Sequence, residues 1–353
     1  MKNKLLIIFP NYSRGGAETA FNSYVEALSG YFNVHIIVNK NYQTDIQNVG
    51  KTTLENESFF NSMLVVFRAI KNYDPDAVIT FKGHAYLASI LFFLKKILNK
   101  KFIIIMRESN DVHGYMTYEI NNFFKKIIFK YFLKMWPAFL SDLVICNSDG
   151  SKKNFMQHIR KQKILNIYNP LYKNNELNVL DEKQYHVGFF GRYAQQKNPV
   201  DFIKIVSKLK ERIPNIKAIM VGSGSLKNLV LKNIDSAGLS ENIETYDFVG
   251  EPKKLLSKTK VLVLTSNYEG MPNILIEALK NRCLLASYDC PSGPNEIISG
   301  STNGVLLPSK DIPAAAIKIQ QLLKVDFDKN QAKEVLNAFT KKSFIKKIKK
   351  IFS

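Results

Sequence analysis

Two glutamates eight positions apart flank a Gly-Met-Pro-Asn turn in the stretch SNYEGMPNILIEAL, which runs from residue 266 to residue 279. Glu269 follows an apolar run, Val261 to Leu264, that predicts a buried strand. Glu277 falls inside a predicted helix, for which Pro272 is the expected first residue. The backbone N–H groups from Gly270 to Asn273 then lie at the helix start, where the helix dipole favours an anion. A phosphate between two carboxylates that hold hydroxyl groups is what a nucleotide sugar requires.

A second loop carries two cations. Arg192 and Lys197 lie in GRYAQQKN, immediately after the apolar run Val187 to Phe190 that begins the second half of the chain. Arginine can bind an anion through two nitrogens, and lysine acts as a point charge. We expect both side chains at the mouth of a sheet, where together they suit a diphosphate. For Arg192 alone, an ordinary surface position is the alternative.

Three glycine-containing loops are weaker candidates. NYSRGGAE, Asn11 to Glu18, follows the first predicted strand, and its glycines allow a ligand to approach the backbone closely. Gly222-Ser-Gly224 resembles half of a phosphate loop, and for both of these loops a tight turn is the alternative. PSGPNEII, Pro291 to Ile298, offers a further helix start for a phosphate. NYSRGGAE is not the G-x-G-x-x-G fingerprint, so dinucleotide binding is poorly supported.

A few acidic residues and histidines remain to be placed. Asp74-Pro-Asp76 has the spacing of a D-x-D metal motif, but it lies between a helix and a strand, at the wrong end of the sheet for a ligand. We read it as a turn and expect no metal site. His84 and His113 each follow a predicted strand. His113 is a candidate for binding substrate, with a polar surface position as the alternative.

Apolar strand-like runs alternate with helical patterns along the whole chain, which predicts parallel sheets with right-handed crossovers. The runs are Leu5–Phe9, Val34–Val38, Ala77–Phe81, Phe102–Met106, Leu143–Cys146, Ile164–Ile167, Val187–Phe190, Ile216–Val221, Ile243–Tyr246, Val261–Leu264, Leu284–Ala286 and Val305–Leu307. A polar stretch interrupts the alternation near 173–184. We therefore expect two Rossmann-like, doubly wound α/β domains, 1–172 and 185–338, with a ligand-binding cleft between them.

The composition indicates a cellular location and excludes one class of partner. The 353 residues carry a net charge of +20, but no motif for binding RNA or DNA is present, so we do not expect a nucleic acid partner. The cysteines have no metal spacing. Cys146 and Cys283 lie in apolar runs and are expected to be buried, whereas Cys290 is in a loop and could be exposed. Without a recognisable signal peptide, a reducing cytoplasm is the expected location.

Two basic, aromatic stretches suit the surface of an anionic membrane. Residues 121–140 hold Phe123, Phe124, Phe129, Phe132 and Trp136 among four lysines. Residues 339–353 place Phe344 and Ile348 on a helical stripe opposite further lysines. Both fit an amphipathic helix lying in a membrane interface, at the inner face of the cell membrane. The alternative for each is packing against the chain's own sheet, and 339–353 could return to the first domain.

Taken together, these motifs identify a family. The chain resembles the retaining group 1 glycosyltransferases of the GT-B fold, through the GGAE loop, the GR…K loop, the glycine loop after the next strand, the spaced glutamates and the closing segment from Gly293 to Pro308. The order and intervals agree over nearly the whole chain, and the second half agrees better than the first. The resemblance implies a nucleotide-diphosphate sugar as donor, UDP by family frequency, and no metal cofactor.

The resemblance also implies roles for individual residues. Arg192 and Lys197 would hold the donor diphosphate, Glu277 the ribose, and Glu269 would face the transferred sugar as a catalytic group. Further donor contacts would come from Gly16, Gly270, Met271, Pro272 and Asn273. Many relatives have a histidine soon after the fourth strand, where this chain has Arg107-Glu108-Ser109-Asn110. Glu108, Asn110 or the later His113 would then act on the acceptor side.

The expected reaction is transfer of a hexose or N-acetylhexosamine to a glycan acceptor in bacterial surface polysaccharide synthesis, and we expect that acceptor to be linked to a polyprenyl diphosphate. Two other enzymes of the same fold are alternatives: a sugar-nucleotide epimerase and a transferase with a soluble acceptor. A third alternative is a scaffold that binds a nucleotide sugar or a membrane with a dead site. The complete set of two cations and two glutamates speaks against a scaffold, which would not need all four.

Overall fold

The computed structural model describes residues 2–10, 16–42, 46, 49–54, 59–81, 85–108, 111–157, 163–171, 176–178, 182–247 and 252–352. The chain forms two compact units. Unit 1 comprises Met1–Lys173 together with Phe339–Ser353, and unit 2 comprises Asn174–Ala338. The polar stretch near 173–184 contains the division between them.

Unit 1 is built on a seven-stranded parallel sheet in the described residues, with the order β3-β2-β1-β4-β5-β6-β7. Its strands are β1 (Lys4–Phe9), β2 (Asn33–Asn39), β3 (Gly50–Leu54), β4 (Ala77–Phe81), β5 (Ile103–Glu108), β6 (Leu143–Cys146) and β7 (Ile164–Asn166). Its helices are α1 (Gly16–Ser29), α2 (Phe59–Tyr73), α3 (Ala85–Ile97), α4 (Val112–Glu119), α5 (Phe123–Ile127), a π-helix (Ile128–Met135), α6 (Trp136–Leu140) and α7 (Asp149–Met156).

Unit 2 is built on a six-stranded parallel sheet in the described residues, with the order β10-β9-β8-β11-β12-β13. Its strands are β8 (Tyr185–Phe190), β9 (Ala218–Val221), β10 (Ile243–Tyr246), β11 (Thr259–Leu264), β12 (Leu284–Tyr288) and β13 (Gly304–Leu307). Its helices are α8 (Pro199–Lys210), α9 (Lys227–Ser236), α10 (Pro252–Ser257), α11 (Asn273–Lys280), α12 (Pro294–Ile298), α13 (Ile312–Leu322) and α14 (Lys329–Asn337).

Both sheets are doubly wound, as the alternation of strands and helices predicts. In each sheet the strand order reverses beside the first strand, between β1 and β4 in unit 1 and between β8 and β11 in unit 2. Loops that leave the carboxyl ends of two strands at such a reversal diverge to opposite faces and leave room for a ligand. In unit 2, Val187 of β8 is paired with Val261 of β11, so the loops after these two strands begin side by side.

The last helix, α15 (Lys341–Lys349), belongs to unit 1. Phe344, Ile345 and Ile348 are buried in the core that packs on β1 and β2, and the Phe344 ring lies 4.6 Å from that of Tyr24. The apolar stripe of 339–353 is therefore used inside the protein. This is the packing alternative left open by the sequence, and it corrects the membrane interpretation of this stretch.

All three cysteines are buried, and none of them forms a disulfide. This confirms the expectation for Cys146 and Cys283 and corrects it for Cys290, which is only 6% exposed although it follows a strand in a loop. Burial raises the pKa of the Cys283 thiol to about 12, so this residue stays protonated at neutral pH. None of the helices in the described residues has the length and apolar character needed to cross a bilayer.

Candidate active site

Two neighbouring loops of unit 2 form the candidate site. The first, residues 191–198, leaves the carboxyl end of β8, and the second, residues 265–272, leaves that of β11. Asn198 has left-handed backbone angles (φ 47°) just before Pro199, and this turn directs the chain into α8. The Thr265 hydroxyl donates a 2.8 Å hydrogen bond to the carbonyl of Asn198, which fixes the start of one loop to the end of the other.

Three further hydrogen bonds join the same two loops. The Asn267 backbone N–H donates to the Gln196 carbonyl at 2.8 Å, and its side-chain amide donates to the Gln195 carbonyl at 2.7 Å. In the other direction, the Gln196 amide donates to the carbonyl of Tyr268 at 3.2 Å. Because each bond engages main chain on one loop, the two loops hold a fixed relative position.

An ion pair lies at the centre of these contacts. The Lys197 Nζ atom is 2.5 Å from Oε1 of Glu269, and the Ser266 hydroxyl donates to the same oxygen at 2.6 Å. The Glu269 side chain is 6% exposed and that of Lys197 is 17% exposed. A carboxylate this deeply buried needs such partners, since its desolvation is otherwise expensive. The structure thus brings together two residues that the sequence assigned to the site separately.

Arg192 remains at the surface of the same loop. Its guanidinium donates a 3.0 Å hydrogen bond to the side-chain oxygen of Gln196, and the residue is exposed. Lys197 forms an ion pair with Glu269, whereas no ion pair to a carboxylate is seen for Arg192 in the described residues. The loop therefore presents two cations, Lys197, which is paired with Glu269 and partly exposed, and Arg192, which faces solvent at the carboxyl edge of the sheet, where an anion can reach it.

The Gly-Met-Pro-Asn turn connects Glu269 to α11. Helix α11 begins at Asn273 with Pro272 as its N-terminal capping residue, one position later than the sequence suggested. Gly270, Met271 and Pro272 are buried, whereas Asn273 is half-buried. The sequence placed these four residues at a helix start after a strand, and the structure has them there.

Glu277 lies in the second turn of α11 and is half-buried. Its backbone carbonyl accepts a 2.8 Å hydrogen bond from the Asn281 side chain at the end of the helix. Because α11 also buries Leu275, Ala278 and Leu279, the position of the Glu277 backbone is fixed by the core.

Two glycines are required by packing around these loops. A Cβ atom on Gly222 would lie 1.9 Å from the carbonyl oxygen of Gly191, at the start of the loop that carries Arg192. Gly293 has a φ of +91°, and a Cβ there would lie 2.8 Å from the Gly270 carbonyl oxygen. Close backbone approach therefore accounts for the glycines of both the Gly222 loop and the PSGPNEII segment, whatever ligand they meet.

A supporting residue that sequence reasoning missed is Asp201. It is buried in the first turn of α8, where its carboxylate accepts hydrogen bonds from the Asn198 side chain at 2.8 Å and from the Tyr288 hydroxyl at 3.1 Å. Burial, followed by the nearby Asp201 charge, raises the pKa of Tyr288. These bonds tie the end of the 191–198 loop to β12. An aspartate three residues after Asn198 is a local capping signal that could have been noticed in the sequence.

In unit 1, Glu108 is engaged in a buried ion pair. One of its carboxylate oxygens is 2.6 Å from Nζ of Lys134 in the π-helix, and both residues are less than 10% exposed. The pair joins the end of β5 to a helix 26 residues later in the chain. This ion pair explains how the Glu108 carboxylate can be buried. An acceptor-side role for Glu108 remains a prediction.

Its neighbour Arg107 is also buried, with its guanidinium 4.0 Å from the centre of the Phe81 ring and donating a 2.6 Å hydrogen bond to Asn169. His113, by contrast, is exposed in the first turn of α4, which is capped by the Asp111 carboxylate. Gly16 is exposed at the first position of α1, after β1. His84, Ser109, Asn110 and residues 11–15 of the GGAE loop lie outside the described residues.

Asp74 and Asp76 form a turn at the amino end of β4, as the sequence predicts. Asp74 has a φ of 50° and pairs with Lys100 at 2.7 Å, and the hydrogen bond and charge of Lys100 lower the pKa of this carboxyl group. Asp76 accepts a 2.7 Å hydrogen bond from the backbone of Lys4. Within the part of the chain that the structure describes, no cluster of three or more histidine, cysteine or acidic side chains could hold a metal ion.

Comparison with known proteins gives one family match. Residues 173–341 match the model of the family described as glycosyl transferases group 1. The match covers all of unit 2 and includes Arg192, Lys197, Glu269 and Glu277.

Two curated relatives and one solved structure extend this comparison. The chain is 31% identical to an uncharacterized glycosyltransferase of Methanocaldococcus jannaschii over 66% of its own length and 60% of that protein. It is 27% identical to a Campylobacter jejuni α-1,4-N-acetyl-D-galactosaminyltransferase, named for a GalNAc-containing undecaprenol-PP acceptor, over 95% of its own length and 92% of that enzyme. The crystal structure of HepE from Anabaena in complex with UDP has the same fold, with a TM-score of 0.80 at 14% identity over 99% of both chains.

Proposed function

This chain belongs to the group 1 glycosyltransferases of the GT-B fold, and on that premise we propose that it transfers a hexose or N-acetylhexosamine from a nucleotide-diphosphate sugar to a glycan. We propose further that the acceptor is linked to a lipid diphosphate, that the product belongs to a cell-surface polysaccharide, and that transfer retains the anomeric configuration. The proposal covers the donor nucleotide as well, for which UDP is our choice.

The observation that carries the proposal is the joined pair of loops at the carboxyl edge of the unit 2 sheet. Lys197 and Glu269 are in contact there, and Arg192 lies on the same loop as Lys197. A diphosphate and a sugar together need cations on one side and hydroxyl-binding carboxylates on the other. The two loops supply both the cations and a carboxylate at one site.

In the proposed reaction the protein stabilises the leaving group. As the bond between the sugar and the distal phosphate breaks, negative charge develops on the nucleoside diphosphate, and Arg192 and Lys197 are the cations available to it. The amides at the start of α11 add to this field. Glu269 would accept hydrogen bonds from the hydroxyl groups of the transferred sugar, and Glu277 from those of the ribose. We assign no side chain as a nucleophile.

Two of the relatives' printed names guide the choice of substrates. The Campylobacter enzyme is named as a GalNAc transferase acting on an undecaprenol-PP-linked glycan, which supports a lipid-linked acceptor and an N-acetylhexosamine. UDP is the nucleotide in the complex of HepE, whose fold the chain shares. UDP-GalNAc and UDP-GlcNAc are therefore the first donors to test. A lipid-linked acceptor would place the enzyme at the cytoplasmic face of a membrane.

The proposal is tested by incubating the purified full chain with each of UDP-GalNAc, UDP-GlcNAc, UDP-glucose and UDP-galactose and measuring release of UDP. We expect one donor to raise the melting temperature and to be hydrolysed slowly without acceptor. An undecaprenol-diphosphate-linked sugar should accelerate UDP release, and NMR of the glycan product should show the anomeric configuration of the donor.

A Lys197→Met/Glu269→Gln variant, in which neither member of the ion pair is left as an unpaired buried charge, is the control. It should fold yet fail to accelerate UDP release. A chain that binds none of the donors, or a double variant as active as the wild type, would refute the site. Conversion of the free donor into its epimer without release of UDP would establish the epimerase alternative instead, and binding without any turnover would establish the scaffold.

A further inference from the structure

Residues 123–140, here called the aromatic segment, combine α5, the π-helix and α6. An ordinary surface helix turns its apolar side chains inward and its charges outward. In the aromatic segment many apolar side chains point outward instead, and one lysine points inward. Six large apolar side chains are between 51% and 73% exposed: Phe123, Phe124, Ile128, Phe132, Trp136 and Phe139. Meanwhile Lys134, a charged residue, is turned inward to Glu108.

Other residues of the aromatic segment, and not these six, anchor it to the core of unit 1. Met135 and Ala138 are buried in the core beside β6, and Phe129 packs against the same core in part. The π-helix makes this division possible, because its wider turn places Lys134 and Met135 inside while Phe132 and Trp136 stay outside. The exposed aromatic side chains contact one another, Phe123 with Phe124 and Trp136 with Phe139, and Lys163 lies 5.9 Å from the centre of the Phe139 ring. They form an apolar surface that lies outside the internal core and remains largely exposed.

The charge around this surface identifies the partner. From residue 120 to residue 141 the sequence contains no aspartate or glutamate, and it contains four lysines. Three of them, Lys125, Lys126 and Lys130, are exposed or half-buried. Protein–protein interfaces are enriched in aromatic residues but depleted in lysine, whereas lysine with tryptophan and phenylalanine is the composition of an anionic membrane interface.

We propose that the aromatic segment is a docking surface for an anionic phospholipid bilayer. Its 18 residues lie along the membrane plane, since no described helix could cross it, and the six apolar side chains enter the boundary between headgroups and acyl chains. Lysines 125, 126 and 130 contact the lipid phosphates. Phe93 and Ile97 of the neighbouring helix α3 are 55% and 73% exposed and add apolar area.

Part of this inference rests on the proposed function, because docking has a purpose for an enzyme whose acceptor is held in the bilayer. The Lys134–Glu108 ion pair then links the docking surface to the carboxyl end of β5, where the acceptor side of the site is expected. Helix α15 has no part in the docking, since its apolar residues are buried in unit 1.

The test is flotation of the full chain with vesicles of phosphatidylcholine alone and of phosphatidylcholine mixed equally with phosphatidylglycerol, without donor or acceptor. We expect binding to the mixed vesicles and at least about tenfold weaker binding to the neutral ones. A Phe124→Ser/Phe132→Ser/Trp136→Ser variant should bind the mixed vesicles at least about tenfold more weakly than the wild type. Because these side chains are exposed, its melting temperature should be unchanged.

A charge-matched pair of variants separates this surface from general attraction of a basic protein. Replacing Lys125, Lys126 and Lys130 with glutamine should weaken binding at least about tenfold. The same replacement at Lys342 and Lys346 of α15 and at Lys350, which caps its C-terminus, removes an equal charge from exposed positions and should change binding less than about threefold. Equal losses in the two variants would overturn the proposal.

A second copy of the chain is the competing occupant. If the aromatic variant converts a dimer to a monomer in light scattering while vesicle binding is unchanged, the surface is a dimer interface and the proposal is wrong. Hydrolysis of the donor in solution, without vesicles, is scored separately. If the chain binds vesicles but hydrolyses no donor, the docking surface is supported and the proposed enzymatic activity is refuted. If it hydrolyses a donor but does not bind vesicles, only the docking surface is refuted.

Discussion

Lys197 and Glu269 are 72 residues apart in the chain, and their Nζ and Oε1 atoms are 2.5 Å apart in the fold. The Ser266 hydroxyl shares the same carboxylate oxygen. Each residue was assigned to the site for its own chemistry, one as a cation for phosphate and the other as an acceptor for sugar hydroxyl groups. Their contact means that each also sets the position and solvation of the other, so substitutions at either residue have two effects.

The first prediction separates those effects. Lys197→Met leaves the buried Glu269 carboxylate with Ser266 and without its cation, so we expect the free energy of unfolding to fall by about 2–3 kcal/mol. The kcat/KM value for transfer should fall at least about 100-fold. Adding Glu269→Gln should recover most of the stability and none of the activity. Urea unfolding and UDP release measure the two quantities, and a single variant as stable as the wild type would contradict the ion pair.

Glu277→Ala should weaken donor binding far more than it lowers stability. The side chain is only half-buried, and alanine favours the helical backbone of α11, so we expect stability to change by no more than about 0.5 kcal/mol. Loss of one or two hydrogen bonds to the ribose should raise the KM for donor by about 10–100-fold. Glu334→Ala, at an exposed position of α14, is the matched control and should leave KM unchanged. Wild-type KM in both variants would remove Glu277 from the site.

Gly222→Ala should disturb the loop that carries Arg192. The added Cβ would lie 1.9 Å from the Gly191 carbonyl oxygen, so backbone must move, at a cost of about 1–3 kcal/mol. Because the displaced residue directly precedes Arg192, donor affinity should fall together with the melting temperature. Gly30→Ala is the control, since its Cβ would meet nothing within 4 Å. Equal behaviour of the two variants would show that the loop yields without strain.

The Lys134–Glu108 pair yields a prediction about unit 1. Lys134→Met leaves a carboxylate that is 3% exposed without its cation and should lower the stability of unit 1 by about 3–5 kcal/mol. The double variant Lys134→Met/Glu108→Gln should recover stability and keep most of the turnover, because a carboxylate so buried is poorly placed to meet an acceptor. A double variant that is stable but inactive would instead support the acceptor-side role of Glu108.

Phe344→Ala should destabilise unit 1 selectively. Removing this buried ring leaves a cavity beside Tyr24, which should cost about 3–5 kcal/mol. Hydrogen exchange read by mass spectrometry should show faster exchange in β1 and α1, with β8 and β11 unaffected, because the cavity lies in unit 1. Lys346→Ala, exposed on the same helix, serves as the control. Uniformly faster exchange in both units would show that the two units unfold together.

Buried strands were the most predictable part of the fold. Ala77–Phe81 and Leu143–Cys146 have the bounds that the sequence indicated, and so does Ile243–Tyr246, although it is an edge strand in which only Ile243 is buried. The other predicted strands shift by a few residues at most. Continuous apolar runs are typical of parallel strands covered on both faces. The strand missed in the described residues was β3, Gly50–Leu54, because it is a polar edge strand whose residues are mostly exposed.

Contacts between distant residues were beyond the reach of a single sequence. The sequence indicated which edge of the sheet Lys197 and Glu269 occupy, since both follow strands, but not that they touch. It also could not choose between the two explanations of an amphipathic stretch. Hydrophobic periodicity shows that one face must be buried and does not say against what, so 339–353 and 121–140 looked alike although only the former turns its stripe into a core.

The return of residues 339–353 to unit 1 has a consequence for biosynthesis. The core around Tyr24 lacks Phe344, Ile345 and Ile348 until the ribosome has translated all of unit 2. Domains made first usually fold first, yet here the unit that begins the chain is completed last. A chain that ends before residue 339 and has left the ribosome would therefore contain all of unit 2 and an incomplete unit 1, with the apolar faces of β1 and α1 accessible to chaperones.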